Sequence, residues 1–503
     1  MKKRRHIFTA AWFVPLCLCV SVCIALSAGP TEPLFLAPLY PEYTLSSPEE
    51  FAHEVGELKR RLGESNSVHV GFSANLNVEF RELDFSKPID ASALQPTMAE
   101  LDLIVSRARS NRLPIHISIF SGFFHGYNLL REAAIRKDVR NAQWFSDGWI
   151  ADPQDLSSTS DIPRAAWMTP SRYAQPLRQR MQESMMILGK QLAAAMKQNP
   201  ETLLKISGDT EVELSFARNL DSNGSPRAGG RVVLADYSPF MIAEFRDWIR
   251  NKRYARDASP ATDDDHDGHT FNNDFRQQFR TWQLRYFNES GPISYDRYRA
   301  MSDKLPKSGP YFMEGGFDAP RQAAPDNSFW KAWEEFRVRV IANYQHDFAE
   351  WITEDSRIPA SRYFTHQIPA EYLFEGKDHA RLETSASPLE TAFIPGVGSP
   401  GVTVFDVFDG RSYSRTSNPA MFKRLEEAGP AWSIVEYNPS VPPVADESHY
   451  MNSLMTLYSF HPSMIVPFAW TNAQQHNPYR IQDTAYETAL RKFVQEAGSV
   501  IHR

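Results

Sequence analysis

Two stretches decide the fold of this chain: Leu203-Leu-Lys-Ile-Ser-Gly-Asp-Thr-Glu-Val-Glu-Leu-Ser-Phe216 and Trp432-Ser-Ile-Val-Glu-Tyr-Asn-Pro439. Each begins with a short apolar run of strand length and then reaches a glutamate, Glu211 in the first and Glu436 in the second. A third stretch, Met464-Ile-Val-Pro-Phe-Ala-Trp470, ends on a tryptophan in the same manner. A residue of this kind after a buried strand is expected to lie where the strand meets solvent. Each glutamate alone could be an ordinary solvated residue, but the three stretches together predict one site at the strand ends.

Apolar runs of strand length recur after residue 60 and alternate with helical patterns, which are clearest over 98–110, 181–196 and 328–355. Strands that alternate with helices predict a mainly parallel sheet of the α/β class, and eight such units predict a closed (β/α)8, or TIM, barrel. The eight predicted strands are 68–75, 115–121, 142–150, 203–216, 363–369, 402–408, 432–438 and 464–470. The third of them is polar and is typical of a loop as much as of a strand.

Residues 217 to about 325 exceed any simple connection between a strand and the helix after it. The loops that follow the strands form the active-site face of a (β/α)8 barrel, so this insertion is expected beside the site. We therefore predict one catalytic barrel over 29–503, with 217–325 as a large insertion after strand 4.

The first 28 residues form a separate segment. Met1-Lys-Lys-Arg-Arg5 is basic, residues 7–26 are almost entirely apolar, and Ala25-Leu-Ser-Ala28 offers small residues to a signal peptidase. These features predict a signal peptide and export to the periplasm or the extracellular space. The apolar stretch is also long enough to span a bilayer, so a membrane anchor formed by residues 7–28 is the alternative. Beyond this segment we expect no contact with a membrane.

Charge and cysteine content narrow the partners and the chemistry. Without its first 28 residues the chain has 50 basic and 61 acidic residues, a net charge of −11. This acidic balance, with no basic tract, argues against a nucleic-acid partner. The three cysteines, Cys17, Cys19 and Cys23, all lie in the predicted signal peptide. The mature chain therefore lacks the thiols for a disulfide, a zinc–thiolate site or a cysteine nucleophile.

Two carboxyl groups at strand ends suit the cleavage of a glycosidic bond in a carbohydrate. In a retaining mechanism one carboxylate attacks the sugar and the other carboxyl group protonates the leaving oxygen, at a separation of about 5–5.5 Å. Asp209, Glu211 and Glu213 share one strand parity, so periodicity allows all three to face inward. Glu211 comes first after the apolar run, so we predict that it is the acid/base and that Glu213 supports it. Glu436 is then the predicted nucleophile.

The residues at these strand ends resemble those of clan A glycoside hydrolases, the retaining (β/α)8 enzymes that include prokaryotic β-galactosidases. The resemblance implies an acid/base glutamate after the fourth strand, a nucleophile after the seventh and a tryptophan after the eighth. Glu211, Glu436 and Trp470 hold these places in the predicted strand count. Residues 236–249 and 279–287 are similar to helices that follow the acid/base strand in β-galactosidase-like barrels.

Further candidates for substrate contact lie near other predicted strand ends. Trp144 and Asp147 could line a sugar subsite, although a packed tryptophan beside a turn aspartate explains them equally well. His366 and Gln367 end the fifth predicted strand, where a histidine is as often a hydrogen-bonded core residue as a ligand contact. The remaining candidates are Asn75, Asp406, Tyr437, Trp470 and Glu213.

An acidic loop within the insertion resembles a calcium site. Asp263, Asp265 and Asp267 precede Gly268 and match the alternating oxygens that open a calcium loop, and Asp274 stands at its twelfth position. Aspartate is shorter than the usual glutamate there, and a solvated acidic loop is the alternative. We expect a structural Ca²⁺ at most, and no cofactor for catalysis.

Two other functions remain open in principle. Clan A enzymes usually place asparagine before the acid/base glutamate to hold the sugar 2-hydroxyl, but this chain has Thr210. That difference favours, as an alternative, a carbohydrate-binding barrel without turnover. A metal-dependent barrel hydrolase is disfavoured because neither H-x-H nor H-E-x-x-H spacing occurs.

Overall fold

The computed structural model describes the parts of the chain given next, and every structural statement below concerns these parts alone. They are residues 32–40, 47–81, 87–121, 129–144, 170–172, 174–210, 212, 214, 235–242, 244–245, 248, 283–284, 313–314, 328–369, 388–405, 419–428, 431–439, 445–470 and 479–500.

Strands, most of them parallel, and helices follow one another along the described chain. The strands are β1 (Leu34–Leu36), β2 (Val68–Val70), β3 (Phe72–Asn77), β4 (Ile115–Phe120), β5 (Leu203–Thr210), β6 (Gln283–Leu284), β7 (Met313–Glu314), β8 (Tyr363–His366), β9 (Gly401–Phe405), β10 (Ser433–Asn438) and β11 (Met464–Pro467). The helices are α1 (Pro48–Leu62), α2 (Gln95–Ser110), α3 (Leu129–Lys137), α4 (Gln175–Gln198), α5 (Ser328–Thr353), α6 (Pro419–Ala428), α7 (Glu447–Tyr458) and α8 (Ala485–Val500). None of these helices is both long and apolar enough to cross a membrane.

The strands form two parallel sheets. One has the order β2-β1-β11-β10-β9 and the other has the order β3-β4-β5-β8, while β6 and β7 form a separate antiparallel pair. Isolated parallel bridges connect the two sheets at both of their edges: Leu39 pairs with Ser73 on one side, and Gln367 pairs with Val402 on the other. The predicted α/β class with parallel strands is confirmed.

One predicted strand lies mostly outside the described residues, and one observed strand was missed. Of residues 142–150, the described part forms only an isolated antiparallel bridge between Ala142 and Pro170. Leu34–Leu36 is a parallel strand between β2 and β11, but its three residues are too short to stand out in the sequence. Among the described strands, β5 is the fourth parallel strand along the chain, provided that β2 and β3 count as one.

A single glycine separates β2 from β3 and allows the chain to pass close to its neighbours. A Cβ atom at Gly71 would lie 2.2 Å from the carbonyl oxygen of Pro114 and 2.6 Å from the Phe35 ring. Neither contact is tolerated, so only glycine fits.

Helix α1 illustrates how the sequence specifies a helix of the outer layer. The Ser47 side chain accepts a hydrogen bond from Glu50 N (3.1 Å), and the Glu50 carboxylate accepts one from Ser47 N (2.9 Å), which forms a capping box. Phe51, Val55 and Leu58 then recur at helical spacing and are buried. They pack in the large core cluster, which joins the helices to the strands.

A second, smaller cluster defines what we call the inner face, the side of the strands that packs against other strands and not against helices. Alternation along β1 shows it: Leu34 and Leu36 belong to the large cluster, whereas Phe35 belongs to the small one. Its buried members are Phe35, Ala37, Leu39, Phe364, Val435, Met464, Val466 and Ala469.

Candidate active site

Glu436 lies near the carboxyl end of β10, and an irregularity in the strand turns it toward the inner face. In the pairing with β9, Ile434 lies opposite Val402 but Glu436 lies opposite Thr403, so β10 carries one extra residue between them. A β-bulge of this kind re-aims the side chains that follow it. Val435 therefore packs on the inner face, and the next side chain, Glu436, contacts inner-face groups as well. About one fifth (21%) of the Glu436 side chain remains exposed.

Two donors contact the Glu436 carboxylate. Asn438 Nδ2 donates a hydrogen bond to Oε1 at 2.7 Å, and His366 Nε2 lies 3.7 Å from Oε2. Tyr479 is also close enough to respond to this carboxylate, because burial and the negative charge of Glu436 both raise the pKa of the phenol. A partly exposed carboxylate held by donors on one side is suited to nucleophilic or electrostatic work at a strand end.

His366, one of the predicted substrate contacts, is buried beside Glu436. Only 2% of its side chain is exposed, and both ring nitrogens have partners: Nδ1 lies 3.2 Å from Ser118 Oγ and Nε2 lies 3.0 Å from Thr403 Oγ1. This arrangement favours the hydrogen-bonded core histidine over the ligand contact.

The Gln367 side chain points to the other face of the strand from that of His366. Successive residues of a strand point to opposite faces, so Gln367 points away from the inner face. Its amide donates to Thr391 Oγ1 (3.3 Å), which lies in the short helical turn Leu389–Ala392. The prediction that Gln367 contacts substrate together with His366 is not supported by this position.

The predicted acid/base lies outside the described residues, but the residue before it does not. Thr210 ends β5 and pairs in register with His366, after a bulge that follows Ser207. Its hydroxyl donates to the carbonyl oxygen of Ile119 at 3.1 Å, and Thr210 is buried. The backbone of β5 therefore ends beside the histidine that contacts Glu436.

Asp209 contradicts the parity argument for β5. Its carboxylate accepts hydrogen bonds from the Ser121 hydroxyl (2.5 Å) and the Tyr344 hydroxyl (3.1 Å), and Tyr344 belongs to α5 in the helix layer. Burial raises the pKa of Asp209, although these hydrogen bonds and the charge of Arg172 oppose the rise. The bulge breaks strict alternation, so the parity shared by Asp209, Glu211 and Glu213 does not fix a common direction.

Two of the predicted aromatic contacts lie in the core. The Trp144 side chain is buried, its Nε1 donates to Val139 O (3.0 Å), and its backbone N donates to Asp236 Oδ1 (3.1 Å). Of the two alternatives that the sequence allowed, a sugar subsite or a packed tryptophan, this position favours the packed tryptophan. Tyr437 follows the bulge, and its side chain points to the face of β10 away from that of Val435. Its ring contacts the Tyr486 ring of α8 edge-on, with centroids 6.3 Å apart. This buried position, turned toward the helices, does not support its prediction as a substrate contact.

The positions of Trp470 and Asn75 neither support nor contradict their prediction as substrate contacts. Trp470 is buried in the large cluster, its backbone N donates to Leu39 O (2.7 Å), and its Nε1 has no hydrogen-bond partner among the described residues. Asn75 is half-buried on β3, in register with Ser118 of β4. Of the other predictions, those that fall outside the described residues are Glu211, Glu213, Asp147, Asp406 and the acidic loop Asp263, Asp265, Asp267 and Asp274.

Sequence reasoning missed the polar residues that surround His366. Ser73, Ser118, Ser207 and Thr403 are buried hydroxyls on neighbouring strands, and each alternates with apolar residues in its own strand. Polar residues at every second position of a buried strand were the signal that could have revealed them.

One group of side chains has the composition of a metal site. His346, Asp347 and Glu350 lie along α5, and their ligand atoms all fall within 4.8 Å of one another. Asp347 already forms an ion pair with Arg178 of α4, and half-buried acidic groups of this kind are common without an ion. The cluster is separate from Glu436 in the sequence and shares no described contact with it.

Comparison with known proteins adds little to this geometry. No protein-family model matches the chain, and no curated protein matches it. Among solved structures it is similar to an exo-β-agarase, with a TM-score of 0.39 and 9% sequence identity over 82% of this chain and 48% of the agarase. The chain thus spans about half the length of that enzyme, and a TM-score this low supports no conclusion about fold or function.

Proposed function

We propose that the protein is an exported, retaining glycoside hydrolase that cleaves O-glycosidic bonds of an oligo- or polysaccharide on a (β/α)8 barrel. One observation carries the proposal. The Glu436 carboxylate, partly exposed at a strand end, lies 3.7 Å from His366, and His366 pairs in register with Thr210, the residue before Glu211. Glu436 on β10 and Thr210 at the end of β5 therefore both lie beside His366, and Glu211 is the next residue after Thr210.

The sheet order supports a closed barrel. Because parallel bridges join the two sheets at both edges, the strands can be followed in the cyclic order β1, β2 with β3, β4, β5, β8, β9, β10 and β11. In that order Glu211 follows the fourth strand, Glu436 lies on the seventh and Trp470 follows the eighth, as the resemblance to clan A implies. Active sites of such barrels lie at the carboxyl ends of the strands.

The proposed chemistry divides between the two carboxyl groups. Glu436 attacks the anomeric carbon in its ionised form, and Glu211 protonates the leaving oxygen and later activates water. The donors on Glu436 suit the first role, because Asn438 and His366 favour an ionised carboxylate in a fixed orientation.

Substitution of Glu436 tests the function. Glu436→Ala should abolish turnover of activated aryl glycosides, and azide should restore part of it by replacing the carboxylate as nucleophile. The matched control is Glu427→Ala, because the Glu427 side chain is 64% exposed on α6 and pairs only loosely with Lys423 (3.7 Å). Full activity of Glu436→Ala with a set of aryl glycosides that the wild type cleaves would contradict the assignment.

The acid/base has its own signature. Glu211→Ala should slow aryl glycosides with poor leaving groups far more than those with good ones, since only the former need protonation. Glu213→Ala should show this dependence weakly. The reverse result would exchange the two roles.

Export and calcium binding also belong to the proposal. Cleavage after residue 27 or 28 should release a mature protein without cysteine, and a membrane-bound protein that keeps Met1 would favour the anchor. Calcium in the 263–274 loop should raise the melting temperature by mass action. Equal melting temperatures in chelator and in millimolar calcium would leave the solvated acidic loop.

The alternative is a carbohydrate-binding barrel without turnover. Thr210 favours it, because its buried hydroxyl already donates to Ile119 O and is not offered to a sugar. Saturable binding of an oligosaccharide without release of reducing ends, in wild type and Glu436→Ala alike, would select this alternative.

A further inference from the structure

A continuous line of hydrogen bonds crosses the inner face and ends at Glu436. From Ser73 on β3 it passes to His116 (2.8 Å), to Ser207 (2.9 Å), to Ser118 (3.2 Å) and to His366 (3.2 Å). The last imidazole then reaches Thr403 Oγ1 at 3.0 Å and the Glu436 carboxylate at 3.7 Å. All the members before Glu436 are buried, with 2% or less of each exposed. We refer to Ser73, His116, Ser207, Ser118, His366 and Thr403 as the polar line.

The polar line can be satisfied with one direction of donation. Ser73 donates to His116 Nδ1, His116 Nε2 donates to Ser207, Ser207 donates to Ser118, and Ser118 donates to His366 Nδ1. Ser207 and Ser118 then each donate once and accept once, Ser73 donates, Thr403 Oγ1 accepts from His366 Nε2, and both imidazoles are neutral with their proton on Nε2. The opposite direction would also pair every group, so further observations must choose between the two.

Two observations select the first direction. The geometry of the serine pair has Ser207 Oγ as the donor and Ser118 Oγ as the acceptor. At the far end, the first direction presents an N–H of His366 to the Glu436 carboxylate, whereas the opposite direction would present a lone pair to a negative charge.

Electrostatics also favour a neutral His116 within the line. Burial lowers the pKa of His116 well below its usual range, and electrostatic interactions with His366 and Lys205 lower it further. A neutral imidazole has one donor and one acceptor nitrogen, which is what a line with a single direction requires.

We infer that His366 is a positioning residue: its Nε2 proton is donated to Thr403 Oγ1 (3.0 Å), and the ring, fixed by the polar line, lies 3.7 Å from the Glu436 carboxylate and favours the orientation for attack. The role of Glu436 in this inference rests on the proposed function. The polar line acts through His366 and does not touch the substrate. Groups that do not contact Glu436, such as Ser207 two members before His366 in the line, therefore influence the reaction only by fixing the ring orientation and the tautomer.

Formation of the fold does not by itself require the polar line. The other part of the inner face is filled by hydrocarbon side chains such as Phe35, Val435 and Val466. Burying hydroxyls and imidazoles costs desolvation free energy that hydrogen bonds only offset, so an apolar filling would stabilise the barrel at least as well. Retention of polar groups where they lead to a strand-end carboxylate points to a role in positioning that carboxylate.

The tautomers of His366 and His116 test the inference without an activity assay. In the wild-type protein with ¹⁵N-labelled histidine, His366 and His116 should each show a protonated Nε2 and an unprotonated Nδ1 near neutral pH. The signals are assigned by their loss in His366→Gln and His116→Gln. Glu436→Gln should shift the His366 Nε2 signal and leave that of His116 nearly unchanged. A proton on Nδ1 of His366, or a His366 signal that ignores Glu436→Gln, would overturn the inference.

Kinetics test the positioning role. Ser207→Ala interrupts the polar line two members before His366, and we expect kcat to fall by about 10-fold to 100-fold with KM nearly constant, as for small losses of orientation. The matched control is Ser433→Ala, which removes a buried hydroxyl on β10 itself that bonds Ser463 (2.9 Å) outside the line. Equal kcat for Ser207→Ala and Ser433→Ala, with both folded by circular dichroism, would contradict positioning by the line.

His366 itself distinguishes positioning from packing. His366→Gln keeps a donor toward Glu436 and should retain more kcat than His366→Leu, which keeps only volume. Equal losses in the two variants would argue for packing alone. A wild-type protein without turnover, but with a His366 signal that responds to Glu436→Gln, would refute the proposed function and leave the contact standing.

Discussion

The inner face of the strands has two unlike parts. On β3, β4, β5, β8 and β9 it carries the polar line, in which every side chain is hydrogen-bonded to the next. On β1, β10 and β11 it carries the apolar cluster that includes Phe35, Val435 and Val466, and this cluster reaches β8 through Phe364. The helix-facing side of the same strands shows no such division, because the large cluster covers both sheets with apolar groups.

Glu436 lies at the border between the two parts. Val435, one residue earlier on β10, packs with the apolar cluster, while the Glu436 carboxylate reaches His366 of the polar line. Donors on one side and hydrocarbon on the other fix a carboxylate without surrounding it with water, which strengthens its electrostatic interactions. The apolar part thus makes the inner face rigid, and the polar part orients the Glu436 carboxylate.

The largest expected effect comes from removing volume in the apolar part. Phe35→Ala should lower the free energy of unfolding by about 3–5 kcal/mol, because Phe35 is 2% exposed and the ring leaves a cavity that few neighbours can fill. Urea denaturation followed by tryptophan fluorescence measures the change.

Phe35→Leu is the control for that change, since it keeps most of the volume and should cost less than about half as much. A loss below about 1 kcal/mol in Phe35→Ala, far under the usual range for a buried aromatic residue, would mean that the apolar part is loosely packed. The distinction between the two parts would then have no energetic basis.

A pair of isosteric substitutions exchanges polarity between the two parts. Val466→Thr places an unpartnered hydroxyl in the apolar cluster, and Thr403→Val removes the partner of His366 Nε2. Although the chemical changes are opposite, each should destabilise the fold by about 1–3 kcal/mol, because each leaves a buried polar group unsatisfied.

Denaturation midpoints at a constant m-value measure both variants. They differ in function: Thr403→Val should also lower kcat through His366, whereas Val466→Thr should leave kcat within about twofold, as expected for a site outside the network. If Val466→Thr were as stable as the wild type, a hydrogen-bond acceptor would have to exist within the apolar cluster, and the comparison would fail.

The order of strands and helices could be predicted from the sequence because it rests on periodicity. The apolar runs at 115–121, 363–369, 432–438 and 464–470 correspond to β4, β8, β10 and β11. Leu34–Leu36 was missed because three residues carry no period, and most of the predicted strand 142–150 lies outside the described residues.

The direction of individual side chains could be predicted only where the strands are regular. His116 and Ser118 alternate with isoleucines on β4, so their shared face follows from the sequence. On β5 and β10 an extra residue breaks the alternation, which sends Asp209 toward the helices and Glu436 toward the inner face. Bulges depend on pairing with the neighbouring strand, and no local pattern in the sequence reveals them.

The smallest expected effect is a pH dependence that originates in the polar line. An unfolded chain binds a proton at His116 as the pH falls through about 6.5, but the folded chain does not, because burial, and then electrostatic interactions with His366 and Lys205, keep the pKa of His116 well below that value. The unfolded state then holds more protons, so His116 contributes stability above pH 6.5 that is lost as the pH falls toward its folded-state pKa. Between about pH 7.5 and pH 5.5 the loss should reach about 1 kcal/mol.

His116→Gln isolates this contribution, since glutamine can accept from Ser73 and donate to Ser207 but does not titrate. Its free energy of unfolding should fall less than that of the wild type over the same pH range, because only the wild type has a titratable group at residue 116. If the two proteins lose the same stability, then His116 is protonated in the folded state. A cationic imidazole donates from both nitrogens, so Ser73 and Ser207 would both have to accept from it, and the single direction of donation toward Glu436 would not exist.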